Sequence, residues 1–354
     1  MVTFLVRRFF QMGLVLFISS VVVYAILSFV PGGPFDDLLQ NTDRNTRTSD
    51  ADIARMEKAL GLDKPWYLQY VTWLTGDTWF DKIGLEQYEG QRKGIIRGDW
   101  GTSWKVERNK AVMDVITRRL PDTLRLQIMA TLLALALAIP IGLYSAVRQY
   151  SKLDYFFTTF SFLGTSLPSF WFGLMLIAAT LSLRRNDLFY LPTGDILAIR
   201  NYQVPGLGLV EAKSLLDRVL HMVLPVMVLS LLSLASFSRF MRSSMLEVLK
   251  QDYVRTARAK GLNERIVVLK HALRNALIPL ITIVVFTIPG VFNGALITET
   301  IFNYKGMGFL YIQALNQRDW PIVSAYLLIN AALIVIANML ADILYTVADP
   351  RIRL

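Results

Sequence analysis

Six apolar runs punctuate the chain, at residues 9–30, 126–147, 155–183, 219–238, 275–298 and about 321–341. Charged residues bound them: Arg8, Arg125 and Arg148, Asp154 and Arg184, Arg218 and Arg239, Arg274 and Glu299, Asp319 and Asp342. With a rise of about 1.5 Å per residue, about 20 residues cross a hydrocarbon core about 30 Å thick. Each run therefore predicts a membrane-spanning helix. Pro140 and Pro168 fall inside two of them, which membrane helices tolerate because neighbours re-satisfy the freed backbone groups. The first run follows Arg7-Arg8 as a signal sequence would. It is longer than a typical signal core, and no small-residue cleavage pattern precedes Pro31-Gly-Gly-Pro34, so it is expected to be a retained helix.

The polar segments between the runs differ in charge. Residues 31–120 carry 14 acids and 14 bases, and residues 184–218 carry four acids and five bases. Residues 239–274 carry nine Lys/Arg against three acids. Basic excess beside spans marks the cytoplasmic side. Threading from an inside N-terminus puts 31–120, 184–218 and 302–320 outside, and 148–154, 239–274 and 342–354 inside, so charge and topology agree. The expected organisation is helix 1 within 1–30, an extracytoplasmic domain at 31–120, and a core at 121–354 with an inner loop at 239–275.

Within the outer domain, Ala54–Leu60 and Trp66–Leu74 predict short helices separated by Gly61-Leu-Asp-Lys-Pro65. Tyr67, Tyr70, Trp73 and Leu74 share one helical face, which reads as packing surface or a membrane-interface anchor. Gly98-Asp-Trp-Gly101 predicts a sharp turn before the chain re-enters the membrane.

Composition supports this class. Of 354 residues, 54% are hydrophobic and 18% charged, against about 25% charged in soluble domains. The net charge of +10 sits beside spans, so nucleic acid is not the expected partner. With no cysteine and only His221 and His271, thiolate chemistry is excluded and a His-rich metal centre is not expected. No phosphate-binding loop occurs; Gly306-Met-Gly308 begins like a dinucleotide fingerprint, but Tyr311 stands where the third glycine belongs. No esterase elbow, zinc-protease signature or pair of intramembrane carboxylates is present. Ion-coupled carriers keep ionisable groups at depth, so uphill transport here would draw its energy from another subunit.

The stretch with most character is Arg239–Pro279. Its centre, Tyr253-Val-Arg-Thr-Ala-Arg-Ala-Lys-Gly261, places Thr256, Ala257 and Ala259 among positive residues and stops at a glycine. Good helix formers closed by Gly predict a short self-terminating helix. Its small side chains suit close approach by another protein, and Arg255, Arg258 and Lys260 suit carboxylates on that partner. Contact with anionic lipid is the plainer reading of the same charge. In the spans, Ser161, Thr165, Ser166, Pro168 and Asn293 are candidates to line a pathway. Gly290 and Gly294 fit helix packing, and Asn330 and Asn338 fit interhelical hydrogen bonds.

Residues 253–279 resemble the cytoplasmic loop of binding-protein-dependent ABC importer permeases, the dipeptide/oligopeptide branch in particular. Arg255-Thr256-Ala257 stands where the general motif has Glu-Ala-Ala, and Gly261 matches its glycine; the leading Glu is absent, and only Leu273 remains of a later Leu-Pro. Further likeness lies in Leu5–Arg8 with Pro31–Pro34, Gly61–Tyr70, Arg119–Thr123, Leu167–Phe170, Arg318–Pro321 and Asp342–Arg353. Residues 75–96 stand out as an insertion. The resemblance implies an all-α integral membrane protein with six transmembrane helices of the type I ABC importer permease fold. It implies a coupling helix at Tyr253, Arg255, Thr256, Ala257, Arg258, Ala259, Lys260 and Gly261. The implied partners are a second homologous permease, two ATPase subunits, an extracytoplasmic solute-binding protein and membrane lipid. ATP and Mg would be used by the ATPases, with no cofactor bound by this chain. The setting implied is a bacterial or archaeal cytoplasmic membrane with both termini inside. Peptides are the implied solute; nickel chelates, oligosaccharides and other small solutes are alternatives within the same machine, and a carrier working alone is another.

Overall fold

In the computed structural model the described residues are 2–30, 63–292 and 294–348. Pro31–Pro34, the expected helix Ala54–Leu60, Asn293 and the end of the tail motif, Asp349–Arg353, lie outside them. The chain divides into two units, Met1–Arg118 with Leu310–Leu354, and Arg119–Phe309.

In the first unit, α1 (Val2–Phe29) is apolar around its circumference and packs along the final helix, Trp320–Ala348. The helix α2 (Trp66–Thr75) docks on α1 through its aromatic stripe. The Tyr24 ring lies 5.5 Å from Tyr70 and 5.2 Å from Trp73, and the Ser20 and Tyr70 hydroxyls are 2.8 Å apart. That half of the stripe is packing surface, whereas Trp66 and Tyr67 stay exposed. The expected insertion, residues 75–96, is ordered by a buried ion pair, Lys64 Nζ to Asp77 Oδ2 at 2.7 Å. Asp77 Oδ1 also accepts the Arg92 N–H at 2.9 Å, and the Lys64 ammonium lies 5.2 Å from the centre of the buried Phe80 ring. The turn expected at Gly98–Gly101 forms, with φ of 84° and 76° at the two glycines. The loop after it closes on Asp319, which is fully buried. Asp319 Oδ2 accepts the Ser103 hydroxyl at 2.6 Å and the N–H groups of Lys105 and Val106 at 2.9 Å; Oδ1 accepts the Trp104 N–H at 3.1 Å. Nearby, Lys110 and Arg118 both donate to Glu107, which holds that carboxyl below the usual range.

In the second unit, α3 (Val112–Val147) runs in from the first and contains Pro121 and Pro140. The helices α4 (Lys152–Ser166), α5 (Ser169–Arg185) and α6 (Leu215–Val248) follow. Between α5 and α6 the chain folds a small hairpin, β1 (Tyr202–Val204) paired antiparallel with β2 (Gly208–Val210). This is a departure from the all-α expectation. It is held by buried Asp217, whose carboxylate accepts the Ala198 and Lys213 N–H groups and the Tyr202 hydroxyl and lies 3.0 Å from His221 Nδ1. Next come α7 (Asp252–Ala259), α8 (Glu264–Ile266), a π-helical segment (Val267–Ala272) and α9 (Leu273–Phe292). The last elements are α10 (Leu296–Ile301), α11 (Met307–Gln317) and α12 (Trp320–Ala348), of which the end of α11 and α12 belong to the first unit.

Among the described residues, five stretches are long and apolar enough to cross a membrane: Val6–Phe29, Val112–Val147, Leu215–Val248, Glu264–Val285 and Trp320–Met339. Two expectations need correction. The run 155–183 is not one helix. Proline disfavours helical backbone at the residue before it, so the chain leaves the helix after Ser166 and Pro168 caps α5 with φ −61° and ψ 130°. The run 275–298 likewise ends early, at Phe292. Beyond it Gly294 turns with φ 67°, and α10 carries Glu299 into the protein.

Glu299 is fully buried and every recorded partner of its carboxyl group is a donor. Oε1 accepts the Thr123 hydroxyl at 3.0 Å and the Ala295 N–H at 3.3 Å; Oε2 accepts the Phe309 N–H at 3.0 Å. Thr123 Oγ1 itself accepts the Met307 N–H at 2.7 Å, so its one proton goes to Glu299. Gly306 belongs to the same node, because a Cβ there would drive into Thr123 Oγ1. Both Glu299 oxygens act as acceptors, which an amide cannot reproduce. Glu299→Gln sets an NH2 against a donor and is expected to cost about 1–3 kcal/mol, read as a lower midpoint of thermal unfolding in detergent; an unchanged midpoint would contradict this description of the node.

Candidate coupling site

The basic segment predicted to be a docking element folds as an eight-residue helix, Asp252–Ala259. It starts where α6 ends: Gln251 takes extended backbone, φ −70° and ψ 149°, and Asp252 and Arg258 lie in the first and last turns. That charge order complements the helix dipole. Termination follows from Gly261. With φ 74° it adopts the left-handed conformation, its N–H bonds to the Arg258 carbonyl at 2.9 Å, and the Leu262 N–H reaches the Ala257 carbonyl at 3.4 Å. These paired bonds form a Schellman cap. Asn263 then opens α8, its side chain accepting the Arg265 N–H at 2.9 Å.

One face of α7 is buried and the rest is exposed. Val254 and Ala257, three residues apart, insert among Met241 and Met245 of α6 and Val267, Val268 and Ala272 of the π-helical segment. Tyr253, Arg255, Thr256, Arg258, Ala259, Lys260 and Gly261 are exposed. Two sequence readings change here. Ala257 is small because it packs against its own chain, so it does not lighten the outward face; Ala259 and Gly261 do. Arg258 turns to Glu264, with Nε and an NH2 nitrogen 3.1 and 2.7 Å from the two carboxylate oxygens. That bond raises the Arg258 pKa and commits its planar fork within the loop. Arg255 makes only a long contact, 3.6 Å to Asp252, and Lys260 is exposed, so these two carry the outward positive charge. Thr256 donates to the Asp252 carbonyl at 2.9 Å.

The pathway candidates within the described residues lie along α4 and at the break that follows it. Ser161 is buried on α4, 3.2 Å from the Ser238 hydroxyl of α6. Ser166 is exposed and donates to the Phe162 carbonyl, Thr165 lies in α4, and Pro168 forms the break before α5. Around Ser161 is a small pocket lined by Ile141, Ser145, Phe157, Thr158, Ser238 and Arg242. Arg242 makes a bidentate bond to buried Asp154, with both contacts within 3.2 Å. Sequence reasoning missed this pair. Asp154 and Arg242 bound separate runs as unremarkable flanking charges, and nothing in their spacing joins them. Gly290 has no atom within 4 Å of its would-be Cβ, while Gly294 presses against the Gly308 backbone; the two do not form a helix-packing motif within this chain.

Comparison with known proteins decides the family. The N-terminal model of binding-protein-dependent transport system membrane components matches residues 1–127, and the model of binding-protein-dependent transport system inner membrane components matches residues 138–354. The chain belongs to this family. It is therefore a multi-pass, membrane-embedded transport permease. It is 38% identical over 353 residues to the oligopeptide transport system permease protein AppB of Bacillus subtilis, covering 100% of both chains. It is 35% identical over 370 residues to the dipeptide transport system permease protein DppB of Escherichia coli, covering 100% of this chain and 99% of that one. Its identity to the di/tripeptide transport system permease protein DppB of Pseudomonas aeruginosa is 35% over 362 residues, covering 100% and 99%.

The cap makes a graded prediction. A Cβ at Gly261 meets nothing within 4 Å, so substitution there strains backbone alone. Gly261→Ala is expected to destabilise the loop by about 1 kcal/mol, and Gly261→Asn by less, because Asn visits left-handed backbone more readily. Amide hydrogen exchange across 252–262 measures both; equal protection in the two variants and the parent would contradict the cap.

Proposed function

We propose that this protein is the permease subunit of a peptide ABC importer, and that Asp252–Gly261 is its seat on an ATPase. One observation carries the reading: in a chain similar along its whole length to peptide permeases, the short basic helix is packed from below and bare above. A helix buried on one face by its own bundle transmits displacement to that bundle. A solvated loop would not need such support.

The arrangement proposed has six membrane passages. Five are the long apolar helices, and Lys152–Arg185 supplies the sixth as a helix pair broken at Pro168. Residues 31–120 form the extracytoplasmic domain, the core follows from 121, and both termini lie in the cytoplasm of a bacterial or archaeal cell. The subunit pairs with a second, homologous permease. A solute-binding protein delivers peptide to the outer loops, and two ATPases inside close on ATP. Closure moves α7, and through Val254 and Ala257 it moves α6 and α9. The bundle opens outward, receives the peptide and resets after hydrolysis. ATP and Mg stay with the ATPases, and the permease performs no chemistry of its own.

Arg255 tests the seat without disturbing the fold, because it is exposed and, among the described residues, its one ion pair is the long one to Asp252. Arg255→Glu reverses an exposed charge at a complementary interface. It is expected to leave folding intact, weaken co-purification of the ATPases and reduce peptide uptake by about tenfold. Reconstitution in proteoliposomes checks the wider reading: uptake should require the ATPases, the binding protein and ATP together. Peptide accumulation by the permease pair alone would overturn it.

A further inference from the structure

The π-helical segment lies in the chain between α7 and α9 and packs against α7. It comprises Val267–Ala272 and closes with the Leu273 N–H bonded to the Val268 carbonyl, five residues back. Such segments are rare, hold one residue more per turn than an α-helix, and concentrate at functional places. This one is braced on its inner side only. Val267, Val268 and Ala272 are buried against Val254 and Ala257 of α7 and Met241 and Met245 of α6, while Leu269 and Lys270 are exposed. Just beyond it, the Ser244 hydroxyl of α6 donates to the Ala276 carbonyl of α9 at 2.9 Å. The helix is thus braced along one face within the π turn and tied to α6 again four residues beyond it.

We propose that the π turn is the joint of the coupling machinery, where α9 changes helical register against α7 during the transport cycle. The proposal rests on α7 being the ATPase seat. Releasing the extra residue restores α-helical bonding and turns everything beyond by about 100°. A swing of that size re-aims the face of α9 relative to α7 as the docked knob moves. The buried spacing permits it: Val268 and Ala272 are four apart, and spacings of three and four both keep side chains on one helix face. Ser244 supplies the stop, since its bond must pass from Ala276 to a neighbouring carbonyl in the alternative register.

Deletion of Leu269, an exposed residue, should convert the turn to α-helix and lock the joint. In the reconstituted complex, ATP hydrolysis is expected to persist while peptide uptake falls by about tenfold or more; wild-type uptake would overturn the proposal. A second measurement stands apart from that variant. The chain has no cysteine, so spin labels can be placed through Gln251→Cys and Ile281→Cys, both exposed. In the assembled transporter the distance between them should shift between the nucleotide-free and ATP-trapped states. Identical distances in both states would remove the joint while leaving the ATPase seat in place, whereas a complex that forms without contact at α7 would remove the seat itself.

Discussion

A short helix in water contributes little stability of its own, and α7 exists because two of its side chains are buried by other elements. Val254 and Ala257 sit among Met241, Met245, Val267, Val268 and Ala272. Burying a side chain the size of Val is worth about 1.5–3 kcal/mol, enough to hold eight residues that could not stay helical alone. The same contacts fasten a surface loop to two long apolar helices. Stability of the loop and its mechanical connection are therefore one interaction, and the outward face is left to charge and shape.

Polar groups in the connecting loops obey a related constraint. A membrane bundle cannot leave them unsatisfied, and here buried carboxylates collect backbone N–H groups. Asp319 gathers three from residues 104–106, Glu299 takes those of Ala295 and Phe309 with the Thr123 hydroxyl, and Asp217 takes those of Ala198 and Lys213. Each anchors an irregular segment whose own backbone has no helix or sheet to bond to. These loops are set by a few fixed charges, so they depend on acceptor geometry more than on apolar packing.

Much of this was legible beforehand. Apolar length alone marked α1, α3, α6, α9 and α12, because lipid imposes a period-free signal that one sequence suffices to display. The short basic helix was legible through its glycine stop, and the cap at Gly261 bears that stop out. What escaped was whatever depends on contacts distant in sequence. Ala257 read as an outward small residue because spacing cannot tell which face meets protein. Arg258 read as a partner ligand although Glu264, six residues on, takes it. The breaks after Ser166 and Phe292 were hidden inside runs that hydropathy averages over. Asp154 with Arg242, and Thr123 with Glu299, join residues 88 and 176 positions apart, which no local pattern could pair.

The central claim is that the exposed face of α7 is occupied by a nucleotide-hydrolysing partner. A photo-reactive amino acid in place of Tyr253, a residue 44% exposed, tests it in intact membranes without purification or reconstitution. The account predicts an adduct with one ATPase polypeptide whose yield changes when ATP is trapped. Adducts with lipid alone, or no protein adduct in any nucleotide state, would contradict it.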